Sequence, residues 1–296
     1  MIELRVPESD LDYEAWRRVR TTVLPNERCA TVEEMRRLAT PEQLLLLAFA
    51  DGELAGSGVA GRSDLGGQGF VAPRVLPDTR RRGVGSALLR ALGAHVAALG
   101  FEQAGGGVED EGSLAFAQRF GFREVGRQVE QVRTIGVAEQ APVAPAGVEL
   151  LTLAERPDLF ERTYHELALE AFEDMPTPSR VTISLEDWRR EWVTWPEGSF
   201  VALEGDELVG CAGLIRDDDH PDRAENSLTA VRRDRRGRGL ARALKETVIA
   251  WASANGLREL YTWTQNGNEN MRAVNEKLGY VARGLSINVR APLPLP

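Results

Sequence analysis

Two short stretches of this chain combine arginine and glycine in a spacing suited to holding an anion. TRRRGVGSALL runs over 79–89 and RRGRGLARALK over 235–245. Each contains Arg-x-x-Gly-x-Gly/Ala and leads straight into a segment with apolar residues at helical spacing. Glycines let the backbone curl with its N–H groups turned inward, and a helix start adds free N–H groups and positive potential. The expected result is a pyrophosphate cradle. It is made of Arg80, Arg81, Arg82, Gly83, Val84 and Gly85 in one copy, and of Arg236, Gly237, Arg238, Gly239, Leu240 and Ala241 in the other. A single Gly-x-Gly before a helix is weak, because glycine often serves packing there. Two copies flanked by arginine favour a ligand. Of the surrounding arginines, Arg81, Arg232, Arg233 and Arg242 read best as solvated surface.

The two stretches place Arg80 and Arg236 156 positions apart, and other landmarks keep nearly that offset. DGELAG at 51–56 matches GDELVG at 205–210, and RFGF at 119–122 matches KLGY at 277–280. A Pro/Ala/Gly segment at 137–147 interrupts all periodicity between them. The chain therefore reads as a tandem repeat, with a domain at 1–136, a linker at 137–147 and a domain at 148–296. Its 296 residues suffice for two cores.

Each half carries the same order of elements. In the first, helices are expected at 11–23 and 32–38, the latter opened by a Thr31/Glu34 capping box. Strands follow at 44–50 and 54–61 around the Asp51-Gly52 turn, then at 70–76, a helix at 84–98, a strand at 101–108, a helix at 114–120 and a strand at 122–134. The second half gives helices at 159–171 and 185–194 and strands at 199–204, 207–215 and 227–231. A helix at 240–254, a strand at 257–263, a helix at 270–278 and a strand at 280–289 complete it. Both are mixed α/β (α+β) domains around a central sheet.

The net charge of −9 disfavours nucleic acid as a partner. Two cysteines and three scattered histidines suggest neither a disulfide framework nor a metal site. Cys211 lies in an apolar strand and Cys29 in a polar loop. The first ten residues, MIELRVPESD, lack the apolar run of a signal peptide or membrane span, so no membrane partner and a cytoplasmic location are expected.

With these residues in view, the chain resembles the GNAT acetyltransferases, whose Arg/Gln-x-x-Gly-x-Gly/Ala signature after a fourth strand binds the pyrophosphate of acetyl-CoA. The stretch TWTQNGNENMRAVNEKLGY at 262–280 especially resembles tandem actinobacterial members related to mycothiol synthase, an architectural likeness that does not narrow the substrate. The resemblance implies that Ala230 and Val231, with Val75 in the first half, present backbone groups to the pantetheine arm and thioester. It also implies that Asn268 and Asn270 touch that arm. The alternative for this pair is a helix N-cap.

Acetyl transfer to an amine needs a base for the amine's proton and a donor for the carbonyl oxygen. Glu225, eleven residues before Arg236, stands where histone-type relatives carry a glutamate base; the competing reading is a solvated residue in a charged loop. Gly69 holds the matching place in the first half. The family's general-acid tyrosine, four residues before the closing glycine, is replaced by Ala117 and Asn275, leaving water, Tyr261 or Tyr280 as substitutes. Glu170, Glu173 and Asp174 would wall the acceptor pocket, or form a solvated helix end. Trp188, Trp192 and Trp195 read as one buried helix face. The expected activity is acetyl-CoA-dependent N-acetylation of a primary amine of a small molecule by the second half of a monomer, with the first half degenerate. The alternative is a non-catalytic acyl-CoA sensor or scaffold.

Overall fold

The computed structural model describes residues 1–177 and 179–296. The chain opens with strand β1 (Ile2–Arg5), helices α1 (Asp10–Val23) and α2 (Val32–Leu38), and the hairpin β2 (Leu44–Ala50) and β3 (Glu53–Arg62). Strand β4 (Gly69–Val75), helix α3 (Val84–Ala98), strand β5 (Gln103–Val108), helix α4 (Glu111–Gln118) and strand β6 (Arg123–Thr134) follow. The pattern then repeats as β7 (Glu149–Thr152), α5 (Leu159–Arg162), α6 (Leu169–Asp174), α7 (Leu185–Asp187), β8 (Phe200–Glu204), β9 (Glu207–Arg216) and β10 (Arg223–Val231). It ends with α8 (Leu240–Ala254), β11 (Glu259–Gln265), α9 (Glu269–Lys277) and β12 (Val281–Pro292).

Local signals explain most of these boundaries. Ser9 caps α1 in a reciprocal box with Asp12, and Asp51 and Gly52, both at positive φ, make the tight β2–β3 turn. Thr31 caps α2 as expected, but Glu34 turns its carboxylate to Arg28 instead of completing the box. The two helices expected at 159–171 and 185–194 are each interrupted by a π-helical turn, at Thr163–Ala168 and Trp188–Trp192. Such turns insert one residue per turn and leave no trace in a 3.6-residue pattern. β1 and β7 are only four residues each; β1 alternates as Ile-Glu-Leu-Arg over a single short run, and β7 does not alternate.

Two compact units result, Met1–Arg127 with Ser286–Pro296, and Gln128–Leu285. In the first, strands run in the order β1-β2-β3-β4-β5-β12, antiparallel except for β4 beside β5. The second has the order β6-β11-β10-β9-β8-β7, antiparallel except for β10 beside β11. Each half thus lends its closing strand to the other's unit: residues 287–292 pair with β5, and residues 128–134 with β11. The 137–147 segment lies inside the second unit.

In each unit the helix after the glycine-rich turn covers one face of the sheet. Leu88, Leu92 and Val96 of α3 are fully buried, and the β3 glycine Gly58 lets Leu92 approach so closely that a Cβ would sit 2.8 Å from it. Leu240, Leu244, Val248 and Ala252 of α8 pack with Ala212, Leu214, Leu260 and Tyr280. The seat of β6 is fixed by polar side chains that only the second unit satisfies. Glu130, 3% exposed, accepts from Arg283 Nε and Nη2 at 2.8 and 2.6 Å, and Gln131 Oε1 accepts from Thr264 and Asn275. Removing one partner of a buried ion pair strands the other charge. Arg283→Met should therefore destabilise the second unit by ~3 kcal/mol, seen as a lower melting temperature of that unit by calorimetry; an unchanged melt would show that this pair does not hold β6.

Candidate active site

The glycine-rich turns have one backbone conformation in both units. A short 3₁₀ turn, Pro77–Thr79 or Arg233–Arg235, leads into an extended Arg80 or Arg236. Left-handed residues follow at alternate positions, Arg81 and Gly83 (φ 65° and 89°) and Gly237 and Gly239 (78° and 83°). Such alternation points successive N–H groups into one concavity. Gly83 and Gly239 cap α3 and α8 with no side-chain acceptor, whereas Ser9, Thr31, Asp110, Ser184 and Asn268 cap other helices with theirs. The first-turn N–H groups of these two long helices are left for another acceptor. A Cβ on Gly237 or Gly239 would meet no protein atom within 4 Å, so those glycines keep open the space in front of the cradle. Gly85 instead serves packing, since a Cβ there would touch Phe116 at 3.3 Å. Arg81 holds without glycine a conformation that an ordinary side chain adopts at a penalty of about 1–2 kcal/mol.

The arginine side chains are directed elsewhere. Arg236 Nε donates to the Val231 carbonyl at 2.9 Å and its Nη2 pairs with Asp174 at 2.6 Å. Arg233 donates its backbone N–H to Glu170 and pairs with Asp174 at 2.7 Å and with Glu173. Hydrogen bonds from Arg233 and Arg236 hold the Asp174 carboxyl down at about 2. The acid-rich end of α6 is therefore a clasp on the glycine-rich turn instead of an acceptor wall, and Arg233, solvent-exposed as expected, is paired with it. Arg232 pairs with Glu207 and Asp234, and Arg238 with Glu204. In the first unit Arg80 donates to the Val75 carbonyl and Arg82 pairs with Asp51.

Just before each turn, the parallel strands part. β4 and β5 are in register only at Gly69–Ala104 and Phe70–Gly105, and β10 and β11 only at Arg223–Glu259, Ala224–Leu260 and Glu225–Tyr261. Beyond these points the β5-facing edge of β4 and the β11-facing edge of β10 have no strand partner in register among the described residues, and this unpaired stretch, the slot, runs to the glycine-rich turn. Val75, Ala230 and Val231 lie on these edges, paired on their other side with Gly56, Cys211 and Gly210. The units differ here. β10 has a bulge against β9 between Asn226 and Thr229, whereas β4 pairs regularly with β3 over its length. A bulge re-aims backbone groups, and Thr229 Oγ1 within it is buried without a hydrogen-bond partner.

Glu225 is not in a loop: β10 begins at Arg223, and Glu225 sits half-buried where the strands divide. Its register partner Tyr261 lies beside it on the same face, 1% exposed. Asn275, at the position of the family tyrosine, is fully buried and donates to Gln131 and Thr264, so it supplies no acid. Tyr280 is buried, its hydroxyl unpartnered and its pKa pushed well up by burial. Asn268 caps α9 by accepting from Met271 N, which supports the N-cap reading, and Asn270 is exposed in the first turn. Trp188 and Trp192 stack at 6.1 Å and pack on Phe172, but Trp195 leaves them for Trp251. Cys29 lies in the loop between α1 and α2 as read, and is buried there; burial pushes the Cys211 thiol up to about 12.

One group went unremarked in the sequence. Lys245 occupies an apolar-stripe position of α8, and its ammonium donates to Asn226 Oδ1 under the point where the strands part. Asn226 Nδ2 donates to the Gly213 carbonyl at 3.0 Å, and Thr262 Oγ1 to the Asn226 carbonyl at 2.8 Å. Burial lowers Lys245 from its ordinary 10.5 to about 7. The unfolded chain then binds more protons between those values, so the penalty is full below about 7 and fades as pH rises to about 10.5. Urea melts should show wild type gaining stability over Lys245→Met as pH rises from 7 to 10; parallel curves would mean that Lys245 is not held desolvated.

The sequence matches the Acetyltransferase (GNAT) family over residues 10–122 and 160–280. It is 30% identical to a mycothiol acetyltransferase of Catenulispora acidiphila, over 72% of this chain and 69% of that protein. It is 28% identical to one of Geodermatophilus obscurus over 83% and 81%. Among solved structures, a tandem GNAT protein from the clavulanic acid biosynthesis pathway superposes with a TM-score of 0.78 at 20% identity, covering 99% of this chain and 98% of that one. A GCN5-related N-acetyltransferase from Sphaerobacter thermophilus gives 0.77 at 22%, covering 98% and 95%.

Proposed function

The chain belongs to the GNAT acetyltransferase family, and on that premise we propose that its second unit transfers an acetyl group from acetyl-CoA to a primary amine of a small molecule. The observation that carries the choice of unit is the bulged β10: only this strand combines a register break with a carboxylate, Glu225, at the start of the slot. The glycine cradle at 236–241 takes the pyrophosphate through backbone N–H groups, with its form held by the α6 clasp. The free edge of β10 at Ala230 and Val231 takes the pantetheine arm. Acetyl-CoA supplies the acyl group as a thioester.

Glu225 accepts the amine's proton, directly or through water, so that the nitrogen presents its lone pair. Backbone N–H groups freed by the bulge donate to the carbonyl oxygen as negative charge gathers there. Asn275 gives no proton to the departing sulfur, which leaves Tyr261, beside Glu225, or solvent for that step. The first unit keeps a cradle at 80–85 but has Gly69 in place of the base, so its reading is cofactor binding without turnover. Asn275 also favours a second reading, a non-catalytic acyl-CoA sensor, which turnover with any amine would exclude.

Calorimetric titration of acetyl-CoA into wild type, Gly83→Trp and Gly239→Trp separates the two cradles. Gly239→Trp should abolish one binding event and all amine acetylation, while Gly83→Trp should leave turnover intact; the reverse pattern would move catalysis to the first unit. Glu225→Gln should lower kcat by ~10²–10⁴-fold with the KM for acetyl-CoA nearly unchanged, and an unchanged kcat would remove Glu225 as base.

A further inference from the structure

In the first unit, Ser57 of β3 and Arg74 of β4 are register partners, so their side chains stand side by side on one face of the sheet. Gly56 and Gly58, either side of Ser57, face α3, whose Leu88 and Leu92 they nearly touch; Ser57 and Arg74 therefore face the other way. That face is covered by α1 and α2, where Trp16, Met35, Leu47 and Val59 cluster. Trp16 is held by donating Nε1 to the Gly58 carbonyl at 2.9 Å, and the Arg74 guanidinium lies 5.9 Å from the centre of its ring.

Both polar groups in this apolar setting lack partners. Ser57 is 0% exposed and its Oγ has no hydrogen bond; Arg74 Nη1 is enclosed and equally unpartnered. Among the described residues no carboxylate forms an ion pair with Arg74. Glu27 and Glu109 are felt only at a distance, and Arg20 opposes them. Burial lowers Arg74 to about 10. Buried polar groups are hydrogen-bonded as a rule, and a half-buried guanidinium with one nitrogen enclosed and no anion, beside a fully buried hydroxyl without a partner, calls for a ligand.

We propose that Arg74 and Ser57 bind the carboxylate or phosphate group of a small molecule, on the sheet face opposite α3 and apart from the glycine-rich turns. The guanidinium fork matches two oxygens of such a group, the Ser57 hydroxyl donates to one of them, and the Trp16 indole flanks the site. This gives the first unit a ligand of its own, whichever unit performs catalysis.

The test is calorimetric titration of sodium succinate and of sodium phosphate into the full chain, at ionic strength matched with sodium chloride and with coenzyme A present to fill the cradles. One of the two anions should bind saturably, succinate preference marking a carboxylate ligand and phosphate preference a phosphate ligand. Arg74→Met should weaken that binding at least tenfold and Ser57→Ala about threefold, while Arg242→Gln, on the exposed face of α8, leaves it unchanged. If Arg74→Met does not fold, the Ser57→Ala titration decides. Absence of binding by both anions in wild type, or unaltered affinity in the Ser57 and Arg74 variants, overturns the proposal.

Discussion

A parallel strand pair that stops pairing partway leaves backbone groups that must find other partners, and the second unit is organised around that constraint. β10 and β11 stay in register for three residues and then diverge. Left alone, such an opening would close or fray, because unpaired backbone inside a protein is costly. It is held open by side chains. Thr262 caps the Asn226 carbonyl at the point of division, and Asn226 is fixed to Gly213 and Lys245. β11 is meanwhile clamped on its other side by seven consecutive register pairs with β6. The strand contributed by the first half of the chain thus belongs to the machinery that keeps the slot open.

The same positions show how the two units diverged. Where the second has Asn226, Lys245 and Thr262, the first has Phe70, Leu89 and Gly105. Phe70 packs with the α1–α2 cluster instead of reaching a helix side chain as Asn226 does, the β3–β4 ladder runs without a bulge, and no carboxylate stands at the branch. The first unit keeps the turn but places Arg81 where the second has Gly237 at the same positive φ. On the proposed reading, anion cradle and acyl chemistry are separable in this fold, because the cradle depends on the turn and helix start, while the chemistry depends on how the preceding strand ends.

The turns, the repeat and most elements were legible in the sequence, because glycine spacing, helical periodicity and hairpin signals are local. What was not legible depends on long-range pairing. A closing strand reads the same whether it pairs at home or away; only the buried Glu130 and Gln131, which need Arg283, Thr264 and Asn275, reveal the exchange. Glu225 read as a loop residue because Asp-Arg-Ala-Glu-Asn is polar, yet β10 starts four residues earlier than its apolar run. The acidic end of α6 looked like a recognition wall since nothing in sequence joins Asp174 to Arg233 and Arg236, about sixty positions away. Lys245 was the one detectable miss: a lysine on the apolar stripe of α8 conflicts with its neighbours.

The clasp on α6 also bears on how the proposed anion site persists in a chain with a formal charge of −9. Arg233 and Arg236 are neutralised by Glu170, Glu173 and Asp174, and Arg232, Arg235 and Arg238 by Glu204, Glu207 and Asp234. Exposed ion pairs of this kind add little stability singly, but a network closed across the seven residues 232–238 fixes the direction of the turn's N–H groups. On the proposed reading, attraction for an anion then comes from oriented backbone dipoles and a helix start. The turn needs its arginines as struts, and for that purpose each strut needs an acid.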